Sequence, residues 1–441
     1  MTGSRYFTAS DWAAAGIAFG VALTAYVCTL APTVTLEYSG ALVVAADHLG
    51  VARTPGYPVW TLLAKGFICL FPFASYHGHA NPAWAVNLMS AVFGALACGL
   101  LALLVSRESK HLCVDRPISN PICAIAGIAA ALLFAFSPAM WSQATIAETH
   151  TLTNFYFLLL MALSLRWMST GNERSPYLLA FLYGFGLSVS PLLVLFGPVL
   201  LLAAVFISRK ALARMASAVL LFICFLFAEF SWGPVRPGFD NGVLATAILI
   251  ATLALALLFA IFRPSRPVGV LLVLLLAGLL PYLYLPLASD HNPPMNMGYA
   301  RTWEGFWHVI SRGQYEALVL SNPFTEPLVF GHQLVWYFRL AASQFTAPLV
   351  VFALVPLAGL PWLPRNARKS LALVLVAFFC FAILVLIGVN PQLDVQNTFI
   401  ARVIFIPSFA SLAILIGIGS AILLDWIWGR TIWKKSTPET S

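Results

Sequence analysis

Carboxylates, imidazoles and guanidinium groups gather in a few polar stretches of an otherwise apolar chain. The first stretch, residues 34–81, holds Glu37 just beyond an apolar run, followed by Ser39-Gly40. A Ser-Gly turn can aim the carboxylate into a cleft, where it could take a proton from an attacking hydroxyl. The same glutamate reads equally as an interfacial or helix-terminal carboxylate. Arg53 precedes Thr54-Pro55-Gly56-Tyr57-Pro58, whose prolines fix φ and whose glycine permits a turn back toward the apolar run. Its guanidinium suits a phosphate, on a substrate or on a lipid headgroup. Further on, Ala147-Glu148-Thr149-His150 closes a short polar break. There Glu148 and His150 either form a second polar wall of the cleft or cap the helix that follows.

Residues 287–344 form the second polar stretch, with Asp290, His291, Asn292, Asn296, Arg301, His308, Arg312 and Gln314 interleaved with Trp303, Phe306, Trp307 and Tyr315. These are groups that grip a sugar or a phosphate, because the planar fork of arginine donates two parallel hydrogen bonds to an anion. Aromatic faces stack on sugar rings, although Trp and Tyr also gather at membrane interfaces for solvation reasons alone. Arg402 follows Asp394 by one to two helical turns and either snorkels to headgroups or holds an anionic ligand. His77-Gly78-His79 offers two imidazoles without a third ligand nearby, so these residues define no metal site. Whether a divalent metal takes part as a cofactor is left open.

Composition sets the elements that must position these groups. Of the 441 residues, 61% are hydrophobic and 9% charged, with a mean hydropathy of +0.89. An ordinary soluble domain is about 25% charged, and no water-soluble fold hides this much apolar surface. The net charge of +8 does not point to nucleic acid, because cytoplasmic loops of membrane proteins collect Lys and Arg. Six of the seven cysteines lie in apolar stretches, where they act as small hydrophobes rather than a disulfide framework.

Apolar runs at 12–33, 82–105, 121–139, 150–168, 176–190, 191–208, 212–231, 243–262, 267–286, 345–363, 369–389 and 403–427 approach the roughly 20 residues needed to cross a bilayer. The first reads as an uncleaved span. A further run, 56–73, carries Pro58, Lys65 and Gly66 and is ambiguous by length. Charge resolves it. If 56–73 lies along the membrane or re-enters it, seventeen of the 24 Lys and Arg share one side, and the positive-inside rule makes that side cytoplasmic. Ten of the sixteen acids and seven of the eight histidines then face the other side, with both termini cytoplasmic. No charge falls near the middle of a span, unlike most ion-coupled carriers.

The expected fold is an all-α polytopic membrane bundle of about 12 transmembrane helices, a single domain over residues 1–435 with a polar tail at 436–441. Its two long outer segments, 34–81 and 287–344, form the face that carries the chemistry, the first containing interfacial or re-entrant helices. Long segments of this kind are more often functional than accidental.

In order along the chain, the stretches Pro32-Thr33-Val34-Thr35-Leu36-Glu37, Ser39-Gly40, Leu49-Gly50, Pro55-Gly56-Tyr57-Pro58, Ala147-Glu148, Tyr284-Leu285-Pro286, Asn292-Pro293-Pro294, Gly298, Ser311-Arg312-Gly313-Gln314-Tyr315 and Arg402 to Ser408 resemble the protein O-mannosyltransferase-like family of multi-span proteins, a branch of the GT-C membrane glycosyltransferases. The resemblance implies a GT-C-like helical bundle and transfer of a sugar, mannose above all, from a polyprenyl-phosphate donor to a protein or glycan hydroxyl on the outer face. It makes that lipid-linked sugar, the acceptor and membrane lipids the expected partners; the sequence has no Asn-x-Ser/Thr site, which is compatible with a bacterial inner membrane, the expected location. Where the family reads Asp-Ser-Gly-Glu, this chain has Tyr38-Ser39-Gly40-Ala41, leaving Glu37 as the nearest carboxylate. Where the family reads His-Pro-Pro-Gly, it has Arg53-Thr54-Pro55-Gly56.

Glu37 and Glu148 are therefore the expected catalytic carboxylates. The expected substrate contacts are Arg53, His150, His291, Asn292, Arg301, Arg312, Gln314, Tyr315 and Arg402. The competing function is a binder or transporter of lipid-linked glycans that has lost the chemistry. Single cysteines introduced within 289–344 and within 106–117 are expected to react with an impermeant thiol reagent from opposite compartments; labelling of both from one side overturns the topology.

Overall fold

The computed structural model describes residues 6–112, 118–232, 266–311, 313 and 320–427, with residues 220, 221 and 223–232 described by backbone alone. The expected span 243–262, the tail 436–441 and the site residues Arg312, Gln314 and Tyr315 lie outside the described residues. The described chain is helical apart from one short ribbon pairing Ser75–Tyr76 with His79–Ala80 and one isolated bridge between Val51 and Asn296. Apolar runs become helices because each backbone N–H and C=O is then satisfied within its own segment.

Six described helices are long and apolar enough to cross a membrane: Ala9–Cys28, Pro82–Ser109, His150–Thr170, Arg266–Asp290, Arg365–Val389 and Ile406–Ile427. Two bent pairs bring the number to eight if each is one span. Asn120–Ala135 meets Pro138–Ala144 at 71°, and Pro327–Phe345 meets Ala347–Ala358 at 105°. The described residues thus support six to eight spans, where the sequence suggests about twelve. Much of the difference lies in helices that end early. Ser175–Val189 has 15 residues, about 22 Å at 1.5 Å per residue, against roughly 30 Å of hydrocarbon. Pro191 then opens a separate 3₁₀ turn, Pro191–Phe196, before the helix Gly197–Ile207.

The ambiguous run 56–73 forms the 13-residue helix Pro58–Leu70, too short to span, in keeping with the in-plane or re-entrant reading. One expectation needs correcting. Residues 327–344, read as the end of a long outer segment, belong to the 19-residue helix Pro327–Phe345, opened by a proline whose missing N–H costs nothing in a first turn.

The chain divides into two compact units. One comprises residues 27–93 and 143–319. Its core beneath the first polar segment joins Leu42, Val43 and Ala46 of the helix Ser39–Asp47 to Trp60 and Ala64, Val86 and Met89, Leu152 and Val189. Residues 31–33 are pinned to the start of the helix Pro82–Ser109: Asn81 Nδ2 donates to the Pro32 carbonyl at 2.7 Å, and Asn87 Nδ2 donates to those of Ala31 at 2.9 Å and Thr33 at 3.2 Å. Elsewhere in this unit Gly184 packs directly on the Leu275 backbone and Gly278 on that of Phe181 and Phe185. A Cβ at either position would clash with main chain, so the small residues set how closely these two helices approach.

The other unit comprises residues 1–26, 94–142 and 320–441. Its most buried element is Ile406–Ile427, packed through Gly417 against Val105 and Ala130. Three polar side chains inside this unit show how buried groups are satisfied. Tyr337 Oη donates to Ser408 Oγ at 2.8 Å, Tyr26 Oη to the Ala135 carbonyl at 2.9 Å, and Gln333 bridges Ser321 and Asn390 at 2.8 Å on each side.

Asp11, fully buried, is the most heavily partnered charge in this unit among the described residues. Lys110 Nζ stands 2.7 Å from its Oδ1, Ser106 Oγ donates to the same oxygen at 2.7 Å, and Thr8 donates to Oδ2 from its backbone N–H at 2.8 Å and from Oγ1 at 2.9 Å. This cluster ties the start of the first helix to the end of Pro82–Ser109. Breaking one side of such a pair leaves an uncompensated buried charge at a cost of about 3–5 kcal/mol. Lys110→Met is expected to lower the unfolding midpoint in detergent accordingly, and adding Asp11→Asn is expected to recover most of the loss; equal midpoints for the single variant and the parent would show that the pair contributes nothing.

Candidate functional site

Glu37 ends a loop whose backbone has little freedom. Besides the asparagine anchors, the Ala31 N–H donates to the Thr145 carbonyl at 3.0 Å, and Gln143 Nε2 donates to Glu37 Oε2 at 3.3 Å. Glu37 takes a φ of 67°, in the left-handed region that costs a residue with a Cβ roughly 1–2 kcal/mol. Such a conformation persists only where its surroundings over-determine it. The side chain is exposed, and the helix Ser39–Asp47 begins two residues later with Tyr38 as a cap residue that makes no side-chain cap bond.

Arg53 is placed by pairing on one side and a turn on the other. The Val51 N–H donates to the Met295 carbonyl at 2.8 Å and the Met297 N–H to that of Val51 at 3.1 Å, so the two long polar segments meet backbone to backbone. After Arg53, the Gly56 N–H returns to the Arg53 carbonyl at 2.8 Å. Gly56, at φ 93°, adopts a conformation suited to glycine, and its face is packed on Leu285. Pro58 then opens the next helix.

The guanidinium of Arg53 meets Glu148 and two aromatic rings among its neighbours. Its Nη2 lies 3.5 Å from Glu148 Oε2, and its Cζ sits 4.0 Å from the centroid of the Tyr38 ring and 5.8 Å from that of Tyr57. Glu148 is 1% exposed and held at several points. Its carboxylate accepts from the Thr149 N–H at 3.2 Å, and its carbonyl accepts from Trp60 Nε1 at 3.1 Å and from Ser90 Oγ at 3.4 Å. Burial pushes the Glu148 carboxyl above the ordinary carboxylate range; Arg53 and the Thr149 N–H draw it back, and the negative charge of Glu37 adds to the rise. The two readings of Glu148 thus hold together, since it braces the start of the helix His150–Thr170 and also lines a charged cluster.

Of the expected residues, Glu37, Arg53 and Glu148 come together, with His150 two residues on at the start of its helix. The Arg53 charge reaches that imidazole. His291 is exposed and turns Nδ1 onto the Leu287 carbonyl at 2.8 Å; Asn292 follows at φ 49°, and Arg301 is exposed. Among the described residues, no hydrogen bond or ion pair joins these three to Glu37 or Glu148. Arg402 belongs to the other unit. There it ends the short helix Val395–Ala401, stacked 3.9 Å over the Phe399 ring, and Asp394 caps the helix start by accepting from the Asn397 N–H at 2.9 Å.

The aromatics of the second segment pack largely on one another. In the helix Trp303–Ile310, capped by Thr302, Trp303 stacks on Phe306 at 6.1 Å and meets Trp307 edge-on at 5.5 Å. Among the described residues, no three of His, Cys, Asp or Glu are grouped as ligands for a metal ion.

Sequence reasoning missed Tyr38 as the platform under Arg53, and Gln143 and Trp60 as the groups that hold the two glutamates. Gln143 carried a faint signal as a lone amide in an apolar run five residues before Glu148. Trp60 carried none, since an indole in an apolar stretch reads as core.

Residues 39–213 match the sequence family described as the protein O-mannosyl-transferase TMEM260 N-terminal domain. Protein O-mannosyl-transferase TMEM260 of Mus musculus is 28% identical over 438 residues, an alignment covering 96% of this chain and 52% of that protein. The protein of the same description from Dictyostelium discoideum is 28% identical over 183 residues, 38% of this chain and 20% of its own length. The chain therefore spans about half the length of the mouse relative. Among solved structures, the archaeal oligosaccharyltransferase AglB from Archaeoglobus fulgidus, in complex with an inhibitory peptide and a dolichol-phosphate, aligns with 92% of this chain and 56% of its own at 15% identity and a TM-score of 0.33. The stretches singled out in the sequence and these sequence matches agree: this chain is similar to the TMEM260-type protein O-mannosyl-transferases, and the match to the model of their N-terminal domain falls on residues 39–213.

Proposed function

We propose that this chain is a membrane glycosyltransferase of GT-C type, moving a sugar, mannose in our reading, from a polyprenyl-phosphate donor to a protein or glycan hydroxyl on the non-cytoplasmic face of a bacterial inner membrane. The observation that carries this reading is the cluster of an exposed glutamate, a buried glutamate and an arginine on converging loops, within a chain related to protein O-mannosyl-transferases. Two carboxyl groups in such different environments suit different roles.

In this mechanism the acceptor oxygen attacks the anomeric carbon of the donor sugar. The bond from that carbon to the phosphate oxygen breaks and the phosphate leaves with the electron pair. Glu37, exposed and oriented by Gln143, takes the proton from the attacking hydroxyl. Glu148 supports the acceptor side and keeps Arg53 at the cluster. Arg53, with Arg301 and Arg312 as further donors, stabilises negative charge on the leaving phosphate, where a preorganised guanidinium is worth more than in water. His150, His291, Asn292, Gln314 and Tyr315 remain candidates for sugar and acceptor hydroxyls.

Proteoliposomes supplied with a radiolabelled polyprenyl-phosphate mannose and an acceptor peptide test the reading. Glu37→Gln is expected to lower kcat by about 10²- to 10⁴-fold, the usual contribution of a general base, while Asp47→Asn, on the surface beside Lys65, leaves it unchanged. Full transfer by Glu37→Gln would remove Glu37 from the chemistry. Donor binding without any transfer by the parent chain would favour the lipid-linked glycan binder instead.

A further inference from the structure

Tyr38 and Arg53 are in contact, the guanidinium lying 4.0 Å over the ring. The remaining contact of interest, from Arg53 to Glu148, is 3.5 Å, long beside the roughly 2.7–2.9 Å of a firm charge-assisted hydrogen bond. The two partners are unequally buried. Glu148 is tethered through its carboxylate by Thr149 and through its carbonyl by Trp60 and Ser90, and its side chain is 2% exposed against 16% for Arg53. Arg53 is thus the member that can turn outward, and a flat ring lets a guanidinium slide while keeping its stacking. Next to these two residues in the chain, Ser39 and Thr54 are buried, and among the described residues their hydroxyls have no hydrogen-bond partner. Buried donors of this kind are costly when unmet.

We infer that Arg53 is an exchangeable anion grip: a phosphate draws the guanidinium away from Glu148 while Tyr38 stays beneath it, and Glu148, left buried without its cation, takes up one proton from solvent. The inference rests on the transferase reading only in naming that phosphate as the donor's; the exchange itself needs no sugar transfer. Among the described residues, the charged and titratable groups around Glu148 are Arg53, Glu37, His150 and Tyr38, the last meeting the carboxylate through its backbone N–H, while Trp60, Ser90 and Thr149 are neutral. Burial already raises the carboxyl, and Arg53 opposes that rise. Removing Arg53 therefore raises it further. Between the Glu148 pKa of the free protein and that of the anion-bound protein, binding consumes a proton, and affinity climbs as pH falls, by up to about tenfold per pH unit. The second ionisation of a phosphate monoester, near pH 6, acts in the opposite direction but equally on parent and variant, so their ratio isolates Glu148.

The test uses the full chain in detergent, with farnesyl phosphate and inorganic phosphate as probes, and measures affinity from pH 5 to 8 together with proton uptake by calorimetry in buffers of different ionisation enthalpy. Glu148→Gln is expected to bind more tightly than the parent at high pH and to lose the proton uptake, the two affinities converging as pH falls. Arg53→Gln is expected to lose about tenfold or more in affinity, Tyr38→Ala a few-fold, and Tyr38→Phe nothing. Because Arg53→Gln strands Glu148 and risks misfolding, the Tyr38 pair and Glu148→Gln, an isosteric change, keep the inference testable. Stronger binding of farnesyl phosphate than of inorganic phosphate would assign the anion to a lipid. An affinity ratio independent of pH, or Arg53→Gln binding as tightly as the parent, would overturn the grip. Transfer activity is not read in this experiment, so the absence of transfer leaves the grip standing, and its failure leaves the transferase reading standing.

Discussion

A glutamate with 1% of its surface exposed remains charged in a protein interior only if something offsets the lost hydration, and Arg53 is the cation that does so for Glu148 here. Much else in this unit serves that placement. The Val51 pairing with Met295 and Met297 fixes Arg53 from one side, the Gly56 turn from the other, and the cluster around Trp60, Met89 and Leu152 forms the apolar bed under Glu148. Because the pair is loose while its surroundings are tight, the charge is kept near the loop bearing Glu37 without being neutralised by a close ion pair.

The bilayer imposes a second constraint, on backbone rather than on charge. Polar main chain has no partners in hydrocarbon, so the apolar runs fold as helices and the irregular backbone collects at their ends. The charged cluster lies in such a place, just before the helix His150–Thr170 and around the short helices Ser39–Asp47 and Pro58–Leu70. Helices of 9 and 13 residues cannot cross a membrane, yet they position side chains far more sharply than an open loop would. The bends of 71° and 105° belong to the same economy, each falling where proline opens the second helix.

The other unit meets burial of polar groups in a different way. Asp11 and Lys110 are joined closely, with hydroxyl donors on the carboxylate, and Tyr337, Tyr26 and Gln333 of that unit find partners at hydrogen-bond distance. A saturated network rigidifies. The loose Arg53 contact contrasts with it, and the contrast separates a clamp that fixes helices from a pair that can exchange partners.

Some of this was legible in the residues themselves. The membrane class followed from 61% hydrophobic and 9% charged residues, because no soluble fold hides that surface. The expectation that 56–73 lies along the membrane or re-enters it came from charge symmetry, and the choice of Glu37, Arg53 and Glu148 as candidates from polar residues standing where an apolar chain breaks. Periodicity could not show where a run of about 20 apolar residues bends or stops, since proline-opened helices and short 3₁₀ turns have the same composition as continuous spans; hence twelve expected spans against six to eight described. Nor could spacing reveal that Arg53 reaches a glutamate 95 positions away and stacks on Tyr38, or that His291 and Arg301 turn outward. Composition and charge act locally and sum along the chain, so sequence alone settles the solvent each segment prefers. Contact between distant segments depends on the small energy differences of packing and backbone pairing, and only the tertiary structure decides those.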